Sequence, residues 1–307
     1  MSSKVLLAVV GPTAIGKTAL GIQLAKHFDT EIISADSRQF FKEMKIGTAV
    51  PSSEELNQAP HHFIQHKSIF EPYSVGDFEK DAIALLDDLY QKKDIAIMVG
   101  GSGLYVDAVI SGLDKFPEID PQIRETLNKE LEENGLESLQ KELKQSDPEY
   151  YKTVDLENPH RLIRALEVCR AAHKPYSSFL NRQKPERPFK SLYIGIDASR
   201  EVVYDRINAR VDFMMEAGLF EEVKKLYSHK KLNALQTVGY KELFEYIDGK
   251  CSLEFAISEI KKNTRRFAKR QLTWLRKNES ILWVPYDGKP EKVLQMVTDR
   301  LKTNQYA

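Results

Sequence analysis

Apolar residues along the chain follow two spacings. Short runs at Val5 to Val10, Glu31 to Ala35, Asp94 to Val99, Leu192 to Ile196 and Ile281 to Val284 are bounded by turn residues. Their length and β-branched content predict buried strands. Elsewhere apolar positions recur three and four residues apart. That spacing predicts helices over Thr18 to Phe28, Asp77 to Lys93, Val202 to Met215, Glu221 to Leu226, Lys241 to Ile247 and Leu253 to Lys277, with a closing helix after the last strand. Strands alternating with helices predict an α/β fold, a parallel sheet with helices on both faces.

The alternation stops between residues 116 and 190. Pro121 to Glu133, Leu136 to Gln145 and Pro159 to Ala172 read as helices, and no strand run separates them. Asn158-Pro159 supplies a cap and a proline at the first helical position. The expectation is an inserted all-helical domain at 116–190, in a core made of 1–115 and 191–307. Residues 45 to 78 are loop-rich, and 181 to 188 form a basic, Pro-rich loop.

The first strand carries the sharpest chemical signal. It ends in Gly11-Pro12-Thr13-Ala14-Ile15-Gly16-Lys17-Thr18, which matches G-x-x-x-x-G-K-[ST]. The glycines let successive N–H groups turn inward around an anion, and the following helix adds the positive end of its dipole. Lys17 can reach an outer phosphate, and the Thr18 hydroxyl can hold Mg²⁺. Strand before and helix after are the context this motif needs, so the core is P-loop NTPase-like. The ligand is a di- or triphosphate; the loop alone does not select ATP.

Other stretches are more ambiguous. Asp36 follows the second strand, at the sheet end where ligands bind. It could act as a base or an indirect metal ligand, or cap a helix. His61-His62 are adjacent and diverge on any regular element, which disfavours joint metal ligation. Gly100-Gly101-Ser102-Gly103 follows the third buried run and suggests close backbone approach to a ligand. Arg161 and Arg164 share a helix face. Between Lys261 and Lys277 there are eight basic residues and no acidic one. Lys262, Arg265, Arg266, Lys269 and Arg276 repeat at helical spacing, predicting one positive face suited to a polyanion.

Composition adds bounds. The 307 residues are 42% apolar and 29% charged, with 45 basic and 45 acidic side chains. The overall charge therefore argues neither for nor against nucleic acid. No run reaches the ~20 apolar residues of a membrane helix. The first strand begins too early for a signal peptide, so a cytoplasmic location is expected. Cys169 and Cys251 lack metal-ligand spacing and read as reduced thiols.

Taken together, these motifs resemble bacterial-type tRNA dimethylallyltransferases (tRNA isopentenyltransferases) along nearly the whole chain. The resemblance runs through residues 11 to 18, Ser34-Ala35-Asp36-Ser37 with Gln39, Ile46-Gly47-Thr48-Ala49, Pro60-His61-His62 and Tyr73-Ser74-Val75. It continues through Gly100 to Tyr105, Asn158 to Glu167, Val238 to Glu242 and Thr264 to Arg276. Ile15, Arg38, Phe40, Phe41, Val50 and Gln65 depart from the usual family residues. The resemblance implies transfer of a dimethylallyl group from dimethylallyl diphosphate to the exocyclic amine of the adenine 3′ of the anticodon. It implies that Gly11 to Thr18 hold the diphosphate with Mg²⁺ on Thr18, that Lys17 and Arg210 neutralise the leaving group while Thr18 hydrogen-bonds its bridging oxygen or the metal, and that Asp36 is the base. It further implies tRNA contacts by Asp36, Ser37, Arg38, Gln39, Ser102, Arg124 and the segment His160, Arg161, Leu162, Ile163, Arg164. Arg265, Arg266, Lys269 and Arg270 would grip the backbone of the tRNA anticodon stem-loop. A monomer acting away from membranes is expected.

Three other readings compete. An ATP-dependent small-molecule kinase explains residues 4 to 18 but not the helical insertion or the basic helix. Isopentenyl transfer to free AMP needs no tRNA clasp. A non-catalytic P-loop nucleic-acid binder needs no base at Asp36.

Overall fold

The structure is a computed structural model that describes residues 4–180 and 185–303. Asn181 to Lys184 of the basic, Pro-rich loop lie outside the described residues. The chain divides into two compact units, Ser111–Glu186 and the flanking Met1–Ile110 with Arg187–Ala307.

The larger unit is built on six parallel strands: β1 (Val5–Val10), β2 (Ile32–Ser34), β3 (His61–His62), β4 (Ile95–Val99), β5 (Lys190–Asp197) and β6 (Leu282–Pro285). Their order across the sheet is β3-β2-β4-β1-β5-β6. Helices α1 (Lys17–His27), α2 (Ser53–Leu56), α3 (Val75–Tyr90) and α4 (Gly103–Ser111) precede the smaller unit, which holds α5 (Pro121–Asn134), α6 (Leu136–Ser146), α7 (Pro148–Tyr151) and α8 (Pro159–Ala172). Then come α9 (Arg200–Glu216), α10 (Leu219–Leu226), α11 (Tyr240–Ile247), α12 (Leu253–Leu275) and α13 (Pro290–Lys302).

The central position of β1 explains its unbroken apolar run. Val5, Leu7 and Val9 face one core with Leu24 of α1, Val203 and Ile207 of α9, Ala268 of α12 and Val297 of α13. Leu6, Ala8 and Val10 face the other with Phe78, Ala82 and Leu86 of α3 and Val106 and Val109 of α4. A parallel strand covered by helices on both sides has no polar face to alternate with. A third cluster, with Val211, Leu219, Tyr240, Leu243 and Ile260, joins α9 to α12.

The smaller unit has its own core of Leu127, Leu139, Leu143, Leu162, Ile163, Ala165 and Leu166, all on α5, α6 and α8. Asn158 caps α8 by accepting from the Arg161 N–H, with Pro159 at the first helical position.

The loop-rich stretch holds two elements that periodicity missed, α2 and β3. Both are too short to show a period. His62 Nε2 meets Glu31 Oε2 at 2.6 Å and His61 Nδ1 meets the Ala59 carbonyl at 2.8 Å. Neither pairing is metal ligation.

Candidate active site

β1 delivers the chain into the phosphate loop, where Ala14 (φ 67°) and Gly16 (φ 108°) both take left-handed backbone. Glycine adopts this freely and alanine at a cost, so the loop is held in a demanding shape. Such a turn points successive N–H groups inward as an anion nest. Ile15 is buried in the sheet core, so only its backbone is available to a ligand.

Lys17 opens α1 and donates from Nζ to the Pro12 carbonyl at 2.8 Å. Its pKa is pulled down to about 8, chiefly by burial of the ammonium; Arg210 adds to this and Asp36 opposes it. Arg210 on α9 is also pulled down by burial and by Arg206, one turn earlier, and is drawn up by Asp36. Arg206 donates from Nε to the Ala14 carbonyl at 2.8 Å. Three cations share this loop; Asp36 acts on both Lys17 and Arg210, and Glu55 acts on Arg210. The composition suits a multiply charged anion.

Asp36 stands just past β2. The residues after it form a turn, so the helix-cap alternative does not hold. Its Oδ1 accepts from the Arg38 N–H at 3.1 Å, a local side-chain-to-backbone turn. Arg38 donates to the Asn233 and Ala234 carbonyls at 3.1 and 2.9 Å. Burial lowers its pKa, against Tyr105 and Asp36. Ser37 Oγ and Ser102 Oγ, from the ends of β2 and β4, lie 3.5 Å apart. Gln39 is not free to read a base through its amide nitrogen, which donates to the Thr48 and Ala49 carbonyls at 3.2 and 2.9 Å.

Two further groups escape sequence reading. Gln271 on α12 bridges Thr13 and Gly101. Glu222 accepts the N–H groups of Lys45, Ile46 and Gly47 at 3.0, 2.8 and 3.0 Å, and the Tyr240 hydroxyl at 2.6 Å. It holds the loop whose next two carbonyls hold Gln39. Gln271 leaves one trace in the sequence, a polar residue in the apolar stripe Ala268, Gln271, Leu275.

The basic helix differs from the expected single positive face. Lys261 pairs with Asp212 at 2.6 Å, Lys262 with Glu259 at 2.8 Å, and Arg265 donates to Asn208 at 2.7 Å. α9 supplies Asp212 and Asn208, and the first half of α12 supplies Glu259. Arg266, Lys269, Arg270, Arg276 and Lys277 remain exposed.

In the helical unit, His160 and Arg161 are exposed. Leu162 and Ile163 are 0% and 5% exposed. Their side chains fill the core of the unit, which leaves backbone groups for any contact at these two positions. Glu167 is 2% exposed and takes Arg124 through two bonds of 2.6 and 2.9 Å and Arg164 at 2.5 Å.

Fold and loop define a P-loop-like protein with cations gathered at the loop. The family model described as "IPP transferase" matches residues 39–278. The tRNA dimethylallyltransferases of Christiangramia forsetii and Flavobacterium johnsoniae are 62% and 57% identical; each alignment covers 98% of this chain, and 100% and 99% of theirs. A crystal structure of a tRNA isopentenylpyrophosphate transferase from Bacillus halodurans is 37% identical, covers 98% of this chain and 97% of its own, and superposes with a TM-score of 0.73. A eukaryotic dimethylallyltransferase solved acting on tRNA gives 26% identity and a TM-score of 0.81 over 98% of this chain and 80% of its own. The chain belongs to the IPP transferase family.

Proposed function

We propose that the chain transfers a dimethylallyl group from dimethylallyl diphosphate to the exocyclic amine of the adenine 3′ of the anticodon in tRNA. One observation carries the chemistry: Lys17 and Arg210 sit desolvated at a phosphate loop, and Asp36 acts on both. The C1–O bond to the diphosphate breaks and the N–C1 bond forms. The amine proton passes to the Asp36 carboxylate. Lys17, Arg210 and the N–H groups of Ala14 to Thr18 stabilise the departing diphosphate. Ser37 and Ser102 flank the adenine, which must first leave the anticodon stack.

Among the described residues there is no cluster of three or more His, Cys, Asp or Glu side chains suited to a metal ion. That fits Mg²⁺, which keeps waters and is held by substrate phosphates with one or two protein oxygens. Thr18 would supply the oxygen, and the ion would supply charge neutralisation. Arg161 and His160, with the exposed residues of α12, engage the anticodon stem-loop backbone, a salt-dependent contribution. Among the described residues no helix is long and apolar enough to cross a membrane. The enzyme acts as a cytoplasmic monomer.

The test incubates the protein with Mg²⁺, labelled dimethylallyl diphosphate and either unmodified tRNA or free AMP. Label should enter tRNA alone. Label entering AMP would reassign the acceptor, and label entering neither would overturn the reading.

A further inference from the structure

Gln271 is 7% exposed, between Ala268 and Leu275 at 1% and 2%. A buried carboxamide needs partners, and here one is a backbone N–H of the proposed diphosphate loop and the other a carbonyl of the turn after β4. Its Oε1 accepts from the Thr13 N–H at 2.9 Å, and its Nε2 donates to the Gly101 carbonyl at 2.8 Å. One side chain thereby ties the loop after β1 to the turn after β4. Packing there is close. A Cβ on Gly101 would lie 2.3 Å from Gln271 Nε2 and 3.5 Å from Lys17 Nζ. Nearby on α12, Trp274 sits so near Gly103 that a Cβ there would be 2.4 Å from the indole. Other side chains of α12, and Lys277 just past its end, face outward. Lys269, Arg270 and Lys277 are exposed, and with Thr273 and Trp274 they line a cavity of about 300 Å³.

We infer that Gln271 is a positioning residue that couples polyanion binding on α12 to diphosphate binding in the loop. The inference rests on the function proposed above, with diphosphate in the loop and tRNA backbone on α12. A phosphate backbone drawn onto Lys269, Arg270 and Lys277 favours one placement of α12. Gln271 and Trp274 pass that placement to Thr13, Gly101 and Gly103, and so to the amides around the anion. The linkage is reciprocal: each ligand tightens the other by the same factor. Glutamine is needed because one group must accept from an N–H and donate to a carbonyl. Glutamate does only the first, and leucine does neither.

The experiment measures the dissociation constant of inorganic pyrophosphate with Mg²⁺, by calorimetry on the full chain, with and without an unmodified anticodon stem-loop RNA. The wild type should bind pyrophosphate about 5-fold more tightly when RNA is present. Gln271→Leu should lose that factor while keeping its RNA affinity within about 2-fold, and its KM for the donor should rise more than its kcat falls. Gly101→Ala pushes the carboxamide away from the other side. It should reproduce the loss alone and add nothing to Gln271→Leu, a double-mutant cycle that simple destabilisation would not satisfy. Should Gln271→Leu fail to fold, Gly101→Ala carries the test by itself. Equal pyrophosphate affinity with and without RNA in the wild type, or retained coupling in both variants, overturns the inference. A wild type that binds neither ligand overturns the proposed function itself, which is a distinct result.

Discussion

The core of the helical unit and the phosphate loop hold their cations in opposite ways. In the helical unit, Arg124 and Arg164 share the buried Glu167, and Arg170 is chelated by Glu130 and Glu142 at 2.7 and 2.6 Å. Around the phosphate loop, Lys17 and Arg206 donate to backbone carbonyls, and Arg210 is destabilised by a neighbouring cation. A cation matched to a carboxylate holds helices together. A cation facing carbonyls and other cations keeps its field for an incoming anion. The same residue types thus hold helices together around Glu167 and, among the described residues, are left without a carboxylate hydrogen bond around the phosphate loop.

Asp36→Asn attacks the acid that acts on both Lys17 and Arg210 and should have the largest effect. Losing a general base lowers kcat by ~10²–10⁴-fold. Single-turnover transfer to tRNA would show the drop, with tRNA affinity retained. Full-rate transfer by Asp36→Asn would remove the base assignment.

Lys17→Met tests the other half of the contrast, because a desolvated cation should help function and burden the fold. The KM for dimethylallyl diphosphate should rise on the order of 100-fold. The ligand-free protein should melt about 2 °C higher at pH 7. The sign follows from the pKa near 8, below its ordinary 10.5. Above about 8 the folded chain binds fewer protons than the unfolded one. Stability therefore rises with pH from about 8 to 10.5. Donor affinity should fall through the same window as the ammonium is lost. A donor affinity flat from pH 7 to 10 would contradict this.

Glu167→Gln breaks the opposite arrangement. It leaves Arg124 and Arg164 without their carboxylate while preserving shape. Breaking a buried pair costs 3–5 kcal/mol, and the half-exposed arginines reduce that to about 2 kcal/mol. Urea unfolding monitored in the helical unit should show the loss. An unchanged midpoint would mean that these arginines are not holding the unit.

Legibility in the sequence follows the same divide. The phosphate loop is local: motif, preceding strand and following helix lie within Val5 to Phe28, and each appears as expected. The long helices were readable because their apolar stripes face a core. Partners distant along the chain were not. Nothing local to Leu162 and Ile163 separates core from contact surface, since an N-terminal helical turn presents both. The ion pairs of Lys261 and Lys262 depend on Asp212 and Glu259, and only the second is near in sequence. Gln271 reaches Thr13 across most of the chain. Glu222 looks like any acid in a first helical turn until Tyr240 and the Lys45 to Gly47 amides converge on it.

Arg161→Ala gives the smallest effect and the finest test. Arg161 is exposed at the start of α8, three residues before Arg164, which pairs with Glu167 and stacks over Phe116 at 4.7 Å. Helical spacing alone treats the two as equivalent. Their partners do not. Removing a free cation should weaken anticodon stem-loop binding about 5-fold and lower the salt slope by about 1, with no change in melting temperature. Arg164→Ala should lower the melting temperature as well, because it removes a partner from a buried acid. If Arg161→Ala destabilised the unit as much as Arg164→Ala, exposure would not separate the cations that bind from those that hold.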